Sequence, residues 1–304
     1  MVVKNMIDIN KLKISTLCEN SVADSYYLGE WGFSAFISIN NSYSLLFDTG
    51  MGRAILPNAD ALGIDLSAIE GILLSHGHDD HTGGLRLLLK RIHYLKPGKK
   101  YEIFCHPDAV KPKYVRHSPE QDYYYAGIPF DLKELEKYGA KFKYSKKPVW
   151  LTENIVSSGE IPMTNNVEQV TEICYLKDND NFHSDPVLDD QALFIITNLG
   201  LVVILGCAHR GMINTIQHAR EVTGVKDVYM VIGGTHLVKA SKERLDFTIS
   251  QMEEMGIQKI GVSHCTGLRS AAYFCNYFPE TKFFYNNAGT VIAFDNQQIQ
   301  IKAF

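Results

Sequence analysis

The sequence predicts an α/β fold in which two mixed β-sheets pack face to face and helices cover the outer surfaces. Strand-like segments crowd the opening of the chain, then alternate with helix-like segments, and the second half repeats that order. These elements present apolar faces that a helix, sheet, sheet, helix stack would bury. At 304 residues the chain is long enough to bury roughly three quarters of its unfolded surface, so a large core is expected.

β-Branched and aromatic residues bounded by Asn, Gly and Asp turn signals mark three early strands, "LKISTLCEN", "FSAFISI" and "YSLLFDTG". Next, "ILPNADALGIDLSAIE" reads as a short helix and connector leading into the strand "GILLS". A helix should begin near Thr82 and run through "GGLRLLLKRI", whose leucines recur at helical spacing. Strand "YEIFCHP" follows, the pattern blurs through "KPKYVRHSPEQDYYYAGIPF", and it resumes with helix "LKELEKYGA" and the strand-like "VWLTENIVSSGEI". The second half opens with strand "ALFIIT", turn "NLG" and strand "LVVILGCAH". Helix "MINTIQHAREVTG", strand "VYMVIGGTHL", helix "KERLDFTISQMEEMG", strand "KIGVSHC" and helix "RSAAYFCNYF" come next, before the closing strands "TKFFYNN" and "TVIAFD".

Composition narrows the class. With 45% hydrophobic and 21% charged residues the chain is neither disordered nor collagenous. Its six cysteines are scattered without CxxC spacing, which argues against a disulfide framework or zinc ribbon and fits a reducing compartment. The N-terminal "MVVKNMIDINKLKI" lacks the apolar stretch of a signal peptide, so a cytoplasmic location is expected. No membrane span is expected either, because "ALFIITNLGLVVILGCA" is too short and is broken by "TNLG". A net charge of −4 gives no reason to expect nucleic acid as a partner. Residues 96–147 are nevertheless locally basic, with 12 Lys and Arg against 7 Asp and Glu.

The chemistry concentrates in "HGHDDH": His76, Gly77, His78, Asp79, Asp80 and His81. On extended chain leaving a strand, His76 and His78 point the same way and can grip one ion. A turn into the next helix would redirect Asp80 and His81 toward a neighbouring position. Imidazoles with a carboxylate suit zinc best, and iron or manganese as well. Two such ions about 3.5–4 Å apart activate a water and stabilise a leaving oxygen. Asp79 is expected to face solvent or to support the ligands from behind.

At this point the chain resembles the metallo-β-lactamase superfamily, whose αββα sandwich carries an HxHxDH motif that residues 76 to 81 match. The resemblance implies one domain over residues 1–304 and two divalent metal ions, zinc first, with iron, manganese or magnesium as alternatives. "LLFDTG" is similar to the first motif of that family, with Asp48 beneath the metals orienting ligands by hydrogen bonds. "VVILGCAH" stands where members often end a strand in Gly-Asp; Cys207 replaces the Asp, and His209 is preferred to it because a buried Cys is more often a small hydrophobe. "GVSHCTG" resembles the final ligand motif and implies His264 on the second metal. "VIGGTHL" places His236 like the histidine that assists catalysis in some relatives. A further histidine that many members carry is missing; Asp190 in "FHSDPVLDDQAL" is the candidate there, with Asp189 and His183 behind it.

Several stretches, among them "EWGFSAFI", "SGEIP", "DDQALFI", "LGCAHRGMINTI" and "IGGTHL", are similar to the dihydropterin synthase-like subgroup of that superfamily. The resemblance implies a small-molecule substrate, phosphate-bearing or pterin-like. The first expectation is a hydrolase using metal-activated hydroxide on an anionic small molecule, with Asp80 and His236 assisting proton transfer. The alternatives are a synthase-like transferase displacing diphosphate from a dihydropterin, and a non-catalytic or redox metal protein. The basic, aromatic segment 96–150 is expected to be an insertion: a lid whose "DYYYAG" tyrosines stack on a flat ring, or a surface piece whose tyrosines form their own small core.

Overall fold

A computed structural model describes residues 6–22, 24–170 and 173–302. The first five residues of the segment tested for a leader lie outside the described residues. In one sheet the strand order is Gln298–Lys302, Val291–Asp295, Leu12–Cys18, Ser34–Ile39, Tyr43–Phe47, Gly71–Leu73, Tyr101–Cys105 and Ala140–Tyr144. The facing sheet runs Phe283–Tyr285, Lys259–Ser263, Val228–Gly234, Gly200–Leu205, Ala192–Thr197, Ile155–Ser157 and Val149–Thr152. Both are mixed: Tyr43–Phe47 pairs antiparallel with Ser34–Ile39 but parallel with Gly71–Leu73, and Gly200–Leu205 pairs antiparallel with Ala192–Thr197 but parallel with Val228–Gly234.

The layering follows from period-two patterning on strands that are apolar on both faces. Along Gly200–Leu205, Val202 and Ile204 enter the core between the sheets with Phe47 and Leu73. Leu201, Val203 and Leu205 face the opposite way, onto Ile213, Ile216 and Ile249 of the covering helices Met212–Thr223 and Lys242–Glu254. On the other sheet, Leu85, Leu88, Leu89 and Ile92 form one buried stripe of the helix Leu85–Leu95. That helix does not begin at Thr82. A separate turn of helix spans Asp79–Thr82, and Gly83 and Gly84 interrupt the pair. The interruption has a steric cause: a Cβ on Gly84 would stand 2.2 Å from the Thr49 carbonyl oxygen, so backbone passes backbone there.

The expected insertion at 96–150 is divided. Tyr101–Cys105 and Ala140–Tyr144 extend the first sheet, and Val149–Thr152 closes the edge of the second. Lys-rich "AKFKY" is a largely exposed edge strand, where solvated lysines discourage pairing with another chain. Only Lys113–Val115 and Tyr124–Tyr125 leave the sandwich. They join an unforeseen hairpin, Cys174–Asp178 with Asn181–Ser184, in a small antiparallel cap sheet. Its tyrosines do pack on one another: Tyr123 stacks on Phe182 at 3.7 Å and Tyr125 meets Tyr114 edge-on, while Tyr124 and Tyr125 both remain partly exposed. No described helix is long and apolar enough to cross a membrane.

Candidate metal centre

Strand ends from both sheets meet at one edge of the sandwich. The buried strand Gly71–Leu73 leads to His76, and His78 caps the one-turn helix that carries Asp80 and His81. From the facing sheet, His209 follows Gly200–Leu205, His236 follows Val228–Gly234 and His264 follows Lys259–Ser263. Donor atoms of His76, His78 and His209 lie within 4.8 Å of one another, and so do those of Asp80, His81 and His264. His76 Nε2 is 3.2 Å from His209 Nε2. His264 Nε2 is 3.2 Å from Asp80 Oδ2 and 3.3 Å from His81 Nε2. The Cys207 thiol lies between the two groups, 3.1 Å from His81 Nε2, and also groups with His76.

Partners behind the rings decide which nitrogen is bare. Asp48 is fully buried and accepts both the amide and the hydroxyl of Ser75, at 2.7 and 2.6 Å. Ser75 Oγ therefore accepts from His76 Nδ1, 2.8 Å away. Asp48 Oδ2 also takes the Nδ1 proton of His81 at 2.7 Å. Asn20 Oδ1, which accepts the Gly32 amide, stands 3.0 Å from His264 Nδ1, while Glu19 accepts the His264 amide at 2.6 Å. Each arrangement leaves Nε2 turned to the centre with its lone pair free, as metal-binding imidazoles require. Backbone strain collects here as well: Asp48, Ala208, His236 and His264 all have φ between 49° and 56°, each costing of order 1–3 kcal/mol that the packed surroundings must offset.

Electrostatics divide the cluster. Burial, with histidines 81, 78 and 209 alongside, holds His76 well below the ordinary imidazole range, and burial does the same for His78. Burial pushes the Asp80 carboxyl up, but His81, His264 and His78 outweigh it and keep Asp80 below the usual carboxylate range. His81 is pulled down by burial, yet the Asp80 and Asp48 carboxylates lift it to about 8. Burial and the neighbouring Asp80 raise Asp79 to about 6. Burial pushes the Cys207 thiol up, so a cation is needed to hold it as thiolate at neutral pH.

These residues fit divalent cations. His78 keeps a buried Nε2 without a hydrogen-bond partner, and imidazoles, one ionised carboxylate and a thiol converge in the pattern that zinc or iron accepts and magnesium does not favour. His236 joins the edge of the cluster, its ring 4.3 Å from that of His209 and its donor atom within 4.8 Å of Cys207. Cys265, absent from the sequence expectations, groups with Cys207 and His264. Asp190 Oδ2 accepts the Arg210 amide at 2.9 Å, and Asp190 is in none of the three-donor groups found among the described residues, although its carboxylate is near enough to Cys207 to help raise that thiol. Its neighbour Asp189 accepts the Gly77 amide instead, 2.8 Å away. His183 lies out on the cap hairpin. Asn20 and Glu19 carried no signal, since nothing in their local spacing marks a partner far along the chain, and Asp189 was expected only as a substitute for Asp190. Over the cluster opens a cavity of about 780 Å³, whose walls include Trp31, Met51, Val115, Tyr124, Lys239 and Arg244.

A family model described as the metallo-beta-lactamase superfamily matches residues 32–210. The 7,8-dihydropterin-6-methyl-4-(beta-D-ribofuranosyl)-aminobenzene-5'-phosphate synthase of Methanocaldococcus jannaschii is 33% identical over 300 residues, covering 95% of this chain and 99% of that protein. A solved structure described as Tm1679, a metal-dependent hydrolase of the beta-lactamase superfamily, superposes with a TM-score of 0.77 at 30% identity, over 92% of this chain and 98% of the other. The metallo-beta-lactamase fold protein YhfI of Bacillus subtilis shares the fold alone, with a TM-score of 0.56 and 13% identity over 92% and 98% of the two chains.

Proposed function

The chain belongs to the metallo-β-lactamase superfamily and is an enzyme of it, and we propose that it works with two divalent cations on a phosphorylated or otherwise anionic small molecule. The observation that carries this reading is the pair of three-donor groups with Cys207 between them. In it, His76, His78 and His209 would hold one cation and Asp80, His81 and His264 the other, with Cys207 a further donor within reach of both groups. Bound cations would supply Lewis acidity, making a water more acidic and offsetting charge on a leaving oxygen. Ser75, Asp48 and Asn20 hold the rings in the tautomer that presents Nε2. His236, at the cavity wall, delivers a proton to the departing group. Trp31 and Tyr124 present aromatic surface to a flat portion of the substrate, and Lys239 and Arg244 attract its negative charge.

Hydrolysis is the first assignment. A second reading, a transferase that displaces diphosphate from a dihydropterin, draws support from similarity to the M. jannaschii synthase along nearly the whole chain. The same machinery would serve either acceptor, because neutralising a leaving oxygen does not depend on whether water or an arylamine attacks. Metal analysis of the purified protein should find close to two equivalents of zinc or iron. Turnover of simple phosphodiesters with added zinc or manganese supports the hydrolase. Turnover only with a dihydropterin diphosphate plus an arylamine supports the transferase, and a protein that retains no metal would sink both.

A further inference from the structure

The cap sheet grips the metal loop at two backbone amides, on either side of His78. The Asp79 amide donates to the Ala126 carbonyl at 2.9 Å, and the Ala126 amide in turn donates to the Lys113 carbonyl. The Gly77 amide donates to Asp189 Oδ2, and Asp189 Oδ1 takes the Lys113 ammonium at 2.8 Å. Lys113 and Asp189 are both 0% exposed. Gly77 has no room to escape this hold: a Cβ there would stand 2.0 Å from the Ala109 carbonyl oxygen.

A lysine is almost never fully buried without carboxylate partners, and Lys113 has two, the second being Asp185 at 2.7 Å. Stability alone does not account for such a group, because apolar residues of similar volume commonly serve as well as a buried ion pair. What an apolar side chain cannot do is orient a carboxylate. Asp189 sits where one oxygen must meet the ammonium and the other the Gly77 amide, so the lysine sets the direction of the contact that holds the His76–Gly77–His78 segment. Val115, two residues along the same cap strand, lines the cavity. The strand that lines the cavity thus also braces the His76–His78 loop.

We infer that Lys113 and Asp189 are positioning residues: they fasten the cap sheet to the metal loop through the Gly77 amide and set the spacing of His76 and His78. The inference rests on the two-cation reading above. Outer partners of this kind commonly change metal affinity by about 10–100-fold.

The test is a cobalt(II) titration of the metal-stripped full chain against a competing chelator, followed by its visible spectrum. Asp189→Leu removes the Gly77 contact and leaves the Lys113–Asp185 pair balanced in charge. Asp185→Leu removes an equivalent buried ion pair and leaves the Gly77 contact in place. Asp189→Leu should lose about tenfold or more in affinity for the His76, His78 and His209 group and shift the cobalt bands, with Asp185→Leu staying within about twofold of the unmodified protein. If Asp189→Leu does not fold, Asp189→Ala, which likewise offers the Gly77 amide no acceptor, is judged by the same loss. Unchanged affinity and spectrum in the folded Asp189 variant overturn the inference, and so does an equal loss in Asp185→Leu. An unmodified protein that binds no cobalt overturns the two-cation reading and the inference with it.

Discussion

The two donor groups are held differently, and the difference sets how each should respond to change. His76, His78 and His209 form a group without a carboxylate, neutral in that burial suppresses protonation of His76 and His78, and the side chain against the His76 ring, Ser75, is uncharged. Asp80, His81 and His264 form a charged group, with the Asp80 carboxylate inside it and Asp48 directly behind His81. A cation held there would meet a carboxylate within its own donor group only in the second. The lesson is that ligand type alone does not define a half-site; the charge behind the ligand is part of it.

The largest effects should come from removing a ligand outright. His76→Ala should empty the neutral half-site and His264→Ala the charged one, each weakening its cation by more than the roughly hundredfold that outer partners reach; equilibrium dialysis with metal analysis would show one equivalent lost in each. Full metal content in both variants would refute the assignment.

Next in size are the supports. Asp48→Ala removes a carboxylate and should weaken the charged half-site by about a hundredfold, whereas Asn20→Ala removes a neutral acceptor and should cost about tenfold. Chelator competition compares them, and equal losses would show that a charge behind a ring adds nothing to what a neutral acceptor does there.

Protons sharpen the contrast further. His81 is raised to about 8 in the folded chain, against an ordinary value of about 6.5. In the metal-free protein its contacts therefore contribute on the order of 2 kcal/mol, fully present below pH ~6.5 and lost as pH rises through 8. His76 and His78 are depressed, so their neutral burial favours folding above pH ~6.5 and opposes it as pH falls below that value. At pH 7, loading the charged half-site should release about one proton more than loading the neutral one. Titration calorimetry in buffers of different ionisation enthalpy, using His209→Ala and His264→Ala to isolate the half-sites, measures this; equal proton release contradicts it.

The smallest effect belongs to the cavity wall. Trp31 is 56% exposed and touches the His264 ring edge-on. Trp31→Ala should raise KM severalfold with little change in kcat, the pattern expected when a contact serves ground state and transition state alike.

Much of this was legible in one dimension. The "HGHDDH" stretch needs only a strand exit and a helix start to direct its side chains, and both are local events readable from neighbouring residues. The inter-sheet core is equally local in origin, since Val202 and Ile204 alternate with Val203 and Leu205. Asp190 shows where such reading ends. It and Asp189 are adjacent and chemically identical, yet one meets the Arg210 amide and the other the Gly77 amide and Lys113. Nothing in "DDQAL" distinguishes them. The cap was hidden for a similar reason: its strands, two to five residues long, are too short for periodicity to register.

By itself, the sequence determined the layered class, the strand-end histidines and the chemistry their side chains can perform, because alternation, helical spacing and donor type are properties of short segments. Tertiary structure alone decided which of those donors meet, which carboxylate stands behind which ring, and that a lysine in the cap reaches the metal loop. Those are contacts between residues far apart along the chain, and their geometry is set by how two sheets and a cap come together rather than by any spacing along the backbone.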